Sequence, residues 1–245
     1  MHRSELRKGV LGWKTLEPHS SDSRGGKETR ELGKVTSLVS TENGTKLVGT
    51  ARHAIAYHLD GKSFGPIESV SSELRTPLGV FVTLFDMARS RGLRGCIGNP
   101  FPKMSLLNET VRCAVDAAAM DPRFGPVQRD EFLQSIIVEV TVLSPLEHIL
   151  LKSPLDLPLN IKVGRDGLFV DGFGTRGLLL PQVAVDEGFD EEEFLNECCL
   201  KAGLMPDAWV TGSVKVARFQ GQIFSENEPG GKVFERKLRG LGRQG

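Results

Sequence analysis

The stretch with the clearest capacity for chemistry is Gly92-Leu93-Arg94-Gly95-Cys96-Ile97-Gly98, which sets one cysteine two residues after an arginine among three glycines. A cysteine attacks as the thiolate, and a guanidinium within reach favours that form. On extended backbone, residues i and i+2 project to the same face, so Arg94 and Cys96 are expected side by side. Arg94 is then either the electrostatic partner of the thiol or a clamp for a carboxylate or phosphate. Gly95 and Gly98 are expected at bend or bulge positions that shape the surface around them. The plainer reading makes Cys96 a small buried hydrophobe. No base adjoins it in sequence, and the stretch matches neither a phosphate-binding loop nor a nucleophile elbow. Cys96 is therefore a candidate catalytic thiol, and whether the chain is an enzyme stays open at this level.

Two further residues could bind a substrate or partner. Arg123, in the turn DPRF at 121–124, could hold a ligand, pair with a carboxylate or cap helix carbonyls. Gln182 follows a run of leucines in LLLPQV; a buried amide there needs a backbone or ligand partner.

Composition narrows the classes. The 245 residues are 39% hydrophobic, enough for a full core, and hold no apolar run of spanning length. The N-terminus lacks a secretory h-region, so a cytoplasmic protein without membrane partners is expected. Cys96, Cys113, Cys198 and Cys199 form no CxxC pair, and the five histidines form no ligand cluster. Neither a disulfide framework nor a metal site is expected, and no cofactor is implied. Formal charge is zero but uneven: residues 1–36 carry eight Lys/Arg against five Asp/Glu, and residues 232–245 five against one. Without interleaved aromatics these basic ends read as solvated rather than nucleic-acid binding.

The elements that must position these residues follow from periodicity. Residues 1–36 read as a mobile extension, 37–231 as the folded domain and 232–245 as a basic tail. Leu47, Ala51, Ile55 and Leu59 predict a helix ending at Gly61, with His53 on its polar face. GVFVTLF at 79–85 and Leu93–Ile97 predict a hairpin, and Ser105 caps a helix carrying Cys113 in its packing face. QSIIVEVTVLSP at 134–145 reads as a half-buried strand, and NIKVGRDGLFV as a hairpin turning at GRDG. Asp190 with Glu193 predicts a capping box, Gly203 the end of that helix, and Val210–Phe224 a last strand. Helices and strands do not strictly alternate, which predicts an α+β fold with antiparallel sheets and packed helices.

In order, GVFVTL (79–84), GLRGCIG (92–98), DPRFGPV (121–127), EVTVLSP (139–145), GRDGLFV (164–170), GLLLPQVAV (177–185) and FLNECCLKAGLMPDAW (194–209) resemble the blocks of the AMMECR-one domain family. The resemblance spans about residues 44–225. It implies two subdomains related by a weak internal duplication, with Leu93–Gly98 as the signature hexapeptide and Gln182 in the family's LPQV block. It brings no established reaction. The family's genes or domains often occur with a Memo-like protein and a radical S-adenosylmethionine enzyme, which implies a shared modification pathway. Its animal members are discussed as nuclear or adaptor proteins. Two expectations follow: a binding or accessory component of such a pathway, or an enzyme using Cys96. This chain departs from the pattern at Gly188-Phe189, where relatives commonly have glycine then tryptophan, and at Cys198, beside the usual cysteine position at Cys199.

Overall fold

A computed structural model describes residues 37–65 and 71–238. The expected N-terminal extension and the last seven residues of the tail lie outside the described residues.

The chain runs α1 (Thr41–Leu59), α2 (Ser72–Arg75), β1 (Gly79–Asp86), β2 (Gly92–Asn99), α3 (Leu106–Ala119), α4 (Arg129–Gln134), β3 (Ile136–Leu143), β4 (Glu147–His148), β5 (Asp166–Gly172), β6 (Thr175–Leu179), α5 (Pro181–Glu187), α6 (Glu191–Lys201), β7 (Lys215–Glu226) and β8 (Val233–Arg236). This is the expected α+β class. The local signals act as written: Ser105 caps α3 through the Asn108 N–H, Asp190 and Glu193 form the capping box of α6, and Gly203 takes positive φ beyond it.

The main sheet has the order β2-β1-β3-β7-β5-β6, with every pairing antiparallel. That order contains a repeat. A hairpin (β1–β2), a helix (α3) and a strand (β3) that pairs with the first hairpin strand make one ββαβ unit. Hairpin β5–β6, helix α6 and strand β7 make the second. The units join where β3 meets the C-terminal half of β7, whose N-terminal half belongs to β5. Each unit has its own core: α1, α3 and the β1–β3 strands around Leu47, Val82, Val140 and Phe224, and α6 with β5–β7 around Leu168, Phe194 and Trp209. A third cluster on the opposite sheet face, Leu143, Leu180 and Phe219 with Phe81 and Leu178 against them, fastens the two units together. The sheet is curled about this seam. Phe101, just after β2, packs edge-on against Phe169 of β5 at 5.4 Å between ring centres.

The same glycine device appears in both units. A Cβ on Gly95 would lie 2.2 Å from the Ala117 carbonyl oxygen of α3, and one on Gly177 would lie 2.5 Å from the Cys198 carbonyl oxygen of α6. Each glycine lets its helix lie directly on the outer hairpin strand.

Several expectations are corrected. β3 is buried along its whole length rather than half-buried, because helices cover one face and the curled sheet the other. The second hairpin turns at Phe173 and Gly174, both with positive φ, instead of at GRDG; residues 160–165 form no strand. A two-residue turn of this kind matches the strand twist, so DGFG outcompetes GRDG. Val233–Arg236, assigned to the basic tail, pairs with β7 as β8. α4 also appears where only a lead into β3 was expected.

Gly95→Ala is expected to lower unfolding stability by about 1–3 kcal/mol in urea titration, since backbone blocks the new methyl. Gly125→Ala, with nothing within 4 Å of its Cβ position, is the control and should change stability by less than about 0.5 kcal/mol.

Candidate functional site

Antiparallel register places residues opposite one another across strands. Cys96 of β2 stands opposite Thr83 of β1, Thr83 opposite Glu139 of β3, and Glu139 opposite Ser225 of β7. This polar row lies on the inner face of the curl, away from α1 and α3. Cys96 is half-buried, while Thr83, Glu139 and Ser225 are buried. The Thr83 hydroxyl donates to the Cys96 Sγ at 3.3 Å.

The equivalent row in the second unit is Leu178, Phe169 and Ala217. Two copies of one scaffold thus hold Leu-Phe-Ala in one and Cys-Thr-Glu in the other. The fold itself accepts apolar residues at these positions. The polar set costs desolvation that the architecture does not require.

Glu139 shows that cost. Its side chain is fully buried, facing Arg91 at 3.3 Å and Arg236 at 3.6 Å, yet Oε1 has no hydrogen-bond partner. Burial pushes its carboxyl up from the ordinary range, against the pull of Arg236 and Arg91. Two residues along β3, Thr141 meets Gln182 of α5, whose Nε2 donates to Oγ1 at 3.2 Å; the Gln182 Oε1 is also buried without a partner. Asp186, a turn further on α5, accepts from Arg236 at 2.9 Å and anchors the helix over this face.

Arg94 does not join Cys96. A bulge between Leu84 and Phe85 of β1 leaves Arg94 without a partner in the register, which breaks the i, i+2 relation. Arg94 turns to Glu131 of α4 (2.5 and 3.1 Å) and to the carbonyls of Gly125 (2.9 Å) and Pro126 (3.4 Å). It is a buried clamp holding the DPRFGPV loop to the sheet. Gly95 faces α3, and a Cβ at Gly98 would strike the Phe81 ring at 2.2 Å, so both glycines serve packing.

Arg123 takes the place expected of Arg94. It binds Asp121 through Nε (2.9 Å) and Nη2 (2.7 Å) and donates to the Cys96 carbonyl at 3.3 Å, while Asp121 accepts from the Cys96 N–H at 2.8 Å. Together they satisfy the open edge of β2 at Cys96 as a neighbouring strand would. Against its burial, the bonds from Arg123 and Cys96 hold the Asp121 carboxyl below its ordinary range.

Burial pushes the Cys96 thiol up. The Thr83 hydrogen bond and the charges of Arg123 and Lys201 oppose this, and Asp121 reinforces it. Lys201, at the end of α6, is half-buried and lowered by burial and by Arg123. The other thiols are packing groups: Cys113, Cys198 and Cys199 are buried, with Cys113 pushed up to about 12 and Cys199 to about 11. Among the described residues, no three His, Cys, Asp or Glu side chains group as metal ligands, and no helix is long and apolar enough to cross a membrane.

Sequence reasoning missed Thr83, Glu139, Thr141 and Lys201. EVTV offers a signal: a glutamate inside a β-branched run is either at the surface or in use.

Fold and site together define an α+β domain of two joined ββαβ units, with a polar cluster inside the curl. The chain belongs to the AMMECR1 family, whose model matches residues 48–224. A protein of Thermofilum pendens is 50% identical over 208 residues, covering 82% of this chain and 97% of its own length. One from Methanocaldococcus jannaschii is 46% identical over 201 residues, covering 82% and 98%. The crystal structure of an uncharacterized protein from Pyrococcus horikoshii superposes with a TM-score of 0.79 at 45% identity, covering 82% of this chain and all of the other.

Arg94→Gln is expected to lower stability by about 2 kcal/mol, the scale of hydrogen bonds to a charged group, without moving the pH midpoint of Cys96 alkylation. Arg123→Gln should move that midpoint upward by removing a positive charge. Peptide mass spectrometry of iodoacetamide-labelled protein reads both; equal shifts for the two variants would contradict this assignment.

Proposed function

We propose that this protein is a binding or accessory component of a modification pathway, with Memo-like and radical S-adenosylmethionine proteins as its partners. In this reading the interior of the curl receives a ligand or substrate group. One observation carries it: the row Cys96-Thr83-Glu139 is polar where its counterpart Leu178-Phe169-Ala217 is apolar, and buried acceptors on that face lack donors. Such groups are retained where something completes them.

Geometry favours binding over nucleophilic catalysis. The hydrogen-bond partner of the Cys96 Sγ is a threonine hydroxyl, which is no base at neutral pH, and burial favours the thiol. Glu139 stands two strands away, outside proton-transfer reach of the sulfur. His53 and His58 on α1 and His148 on β4 are exposed. The enzymatic reading draws on Arg123 and Lys201, both of which favour a thiolate.

The pH profile of Cys96 alkylation in the folded protein separates the two. The binding reading expects a midpoint above the free-thiol value of about 8.5; a midpoint near 7 or below would favour the nucleophile. Co-expression with the Memo-like and radical S-adenosylmethionine proteins, followed by affinity purification in mild salt, is expected to recover at least one of them in stoichiometric amount. Recovering neither would count against the accessory role.

A further inference from the structure

Three buried carboxylates of this chain each take a forked arginine on both oxygens: Asp121 from Arg123 (2.9 and 2.7 Å), Asp166 from Arg165 (2.7 and 2.6 Å) and Glu226 from Arg52. Glu139 has no such partner. Its side chain is fully buried, yet Arg91 at 3.3 Å and Arg236 at 3.6 Å both lie against Oε2, and Oε1 has no donor among the described residues. Charge-assisted bonds to a carboxylate are ordinarily about 2.7–2.9 Å long. Gln182 Oε1 is a second buried acceptor without a donor. Its amide nitrogen is fixed on Thr141, two residues along β3 from Glu139, which sets the two positions about 7 Å apart on one face.

Of the two arginines, Arg236 is fastened to Asp186 at 2.9 Å and Arg91 is the looser. Arg91 reaches in from the β1–β2 turn, where Ser90 and Arg91 itself have positive φ. One nitrogen, Nη2, serves both Glu139 (3.3 Å) and Ser225 (3.4 Å), Cζ stands 5.1 Å from the centre of the Phe85 ring, and the side chain is 38% exposed. A guanidinium over an aromatic ring and against a buried carboxylate has the form of a bound ligand, made with poor contacts. We propose that Arg91 is a stand-in, and that the inner face at Glu139 binds the guanidinium group of a ligand, which displaces Arg91, forks onto both Glu139 oxygens and directs a further donor towards Gln182 Oε1. Charge selects the class. Arg91 and Arg236 balance Glu139 and Asp186, so the departure of Arg91 leaves one surplus negative charge, which a monocation restores and a neutral amide does not. Shape narrows it further, because a planar group donating from two edges suits acceptors spread along β3 better than a compact ammonium.

This assignment rests on the binding reading above, and its test uses neither partners nor thiol chemistry. Isothermal titration of the full chain would compare ethylguanidine, its neutral isostere ethylurea, and propylamine. Ethylguanidine is expected to bind at least about tenfold more tightly than either, and about threefold more tightly again to Arg91→Ala, where the competing side chain is gone. Glu139→Gln should remove the preference for ethylguanidine over ethylurea, and Gln182→Leu should weaken ethylguanidine about threefold. Circular dichroism melts would establish that each variant is folded; should Glu139→Gln fail to fold, Arg91→Ala decides alone. Free arginine and acetylated arginine amide then separate the sources: tighter binding of the amide marks an arginine side chain within a polypeptide, and tighter binding of free arginine marks the amino acid. Absence of ethylguanidine binding to wild type, equal binding of the three probes, an intact preference in folded Glu139→Gln, or unchanged or weaker ethylguanidine affinity in Arg91→Ala would each overturn the proposal. Partners recovered alongside any of these results would strike this assignment and leave the accessory role standing.

Discussion

Five antiparallel residue pairs between β3 and β7, from Glu139–Ser225 to Leu143–Gly221, hold the two halves of the molecule as one sheet. β7 serves both units at once, pairing with β5 through its first half and β3 through its second. Because this strand turns from one partner to the other, the inner faces of both units look toward each other. The Leu143–Leu180–Phe219 cluster then closes the angle, and α5 lies across it. Every feature of the candidate site depends on that seam. Without it Glu139 would face no Ser225, and β8 would not bring Arg236 over the same face.

The duplication also separates scaffold from function. Gly95 and Gly177 do equivalent work, each admitting a helix backbone onto the outer hairpin strand, so the glycine in the signature hexapeptide belongs first to packing. Arg94 likewise secures a loop. What differs between the units is the inner row, and a structure with apolar residues at those positions already exists in the second half of the same chain. Burying Thr83 and Glu139 where Phe169 and Ala217 suffice is a cost of the kind that ligand sites carry.

Much of the local structure is legible in the sequence because its causes are local. Ser105, the Asp190–Glu193 box and Gly203 mark helix ends through side-chain and φ preferences that act within a few residues. The stripe Leu47, Ala51 and Ile55 needs only a core to face, and these residues are buried. The site is legible in part: Cys96 and Gln182 do line the inner face, and Arg123 does reach the Cys96 backbone. Arg94 misleads because a one-residue bulge reverses which face a side chain takes, and no residue type in the hexapeptide announces that slip. Glu139 is hidden for a related reason, since alternation in EVTV shows that two faces differ without saying what covers each.

The sequence by itself determined the α+β class, the helix caps, the positions of the first hairpin and the central strand, and a cysteine set among glycines. Those follow from propensity, periodicity and turn chemistry over short windows. Only the tertiary structure decided which arginine stands by Cys96, that a buried glutamate shares its row, and that the charge of Lys201 on α6 acts on the same thiol. These are relations between residues tens to more than a hundred positions apart, set by strand register and by the curl of the sheet, which no local pattern encodes.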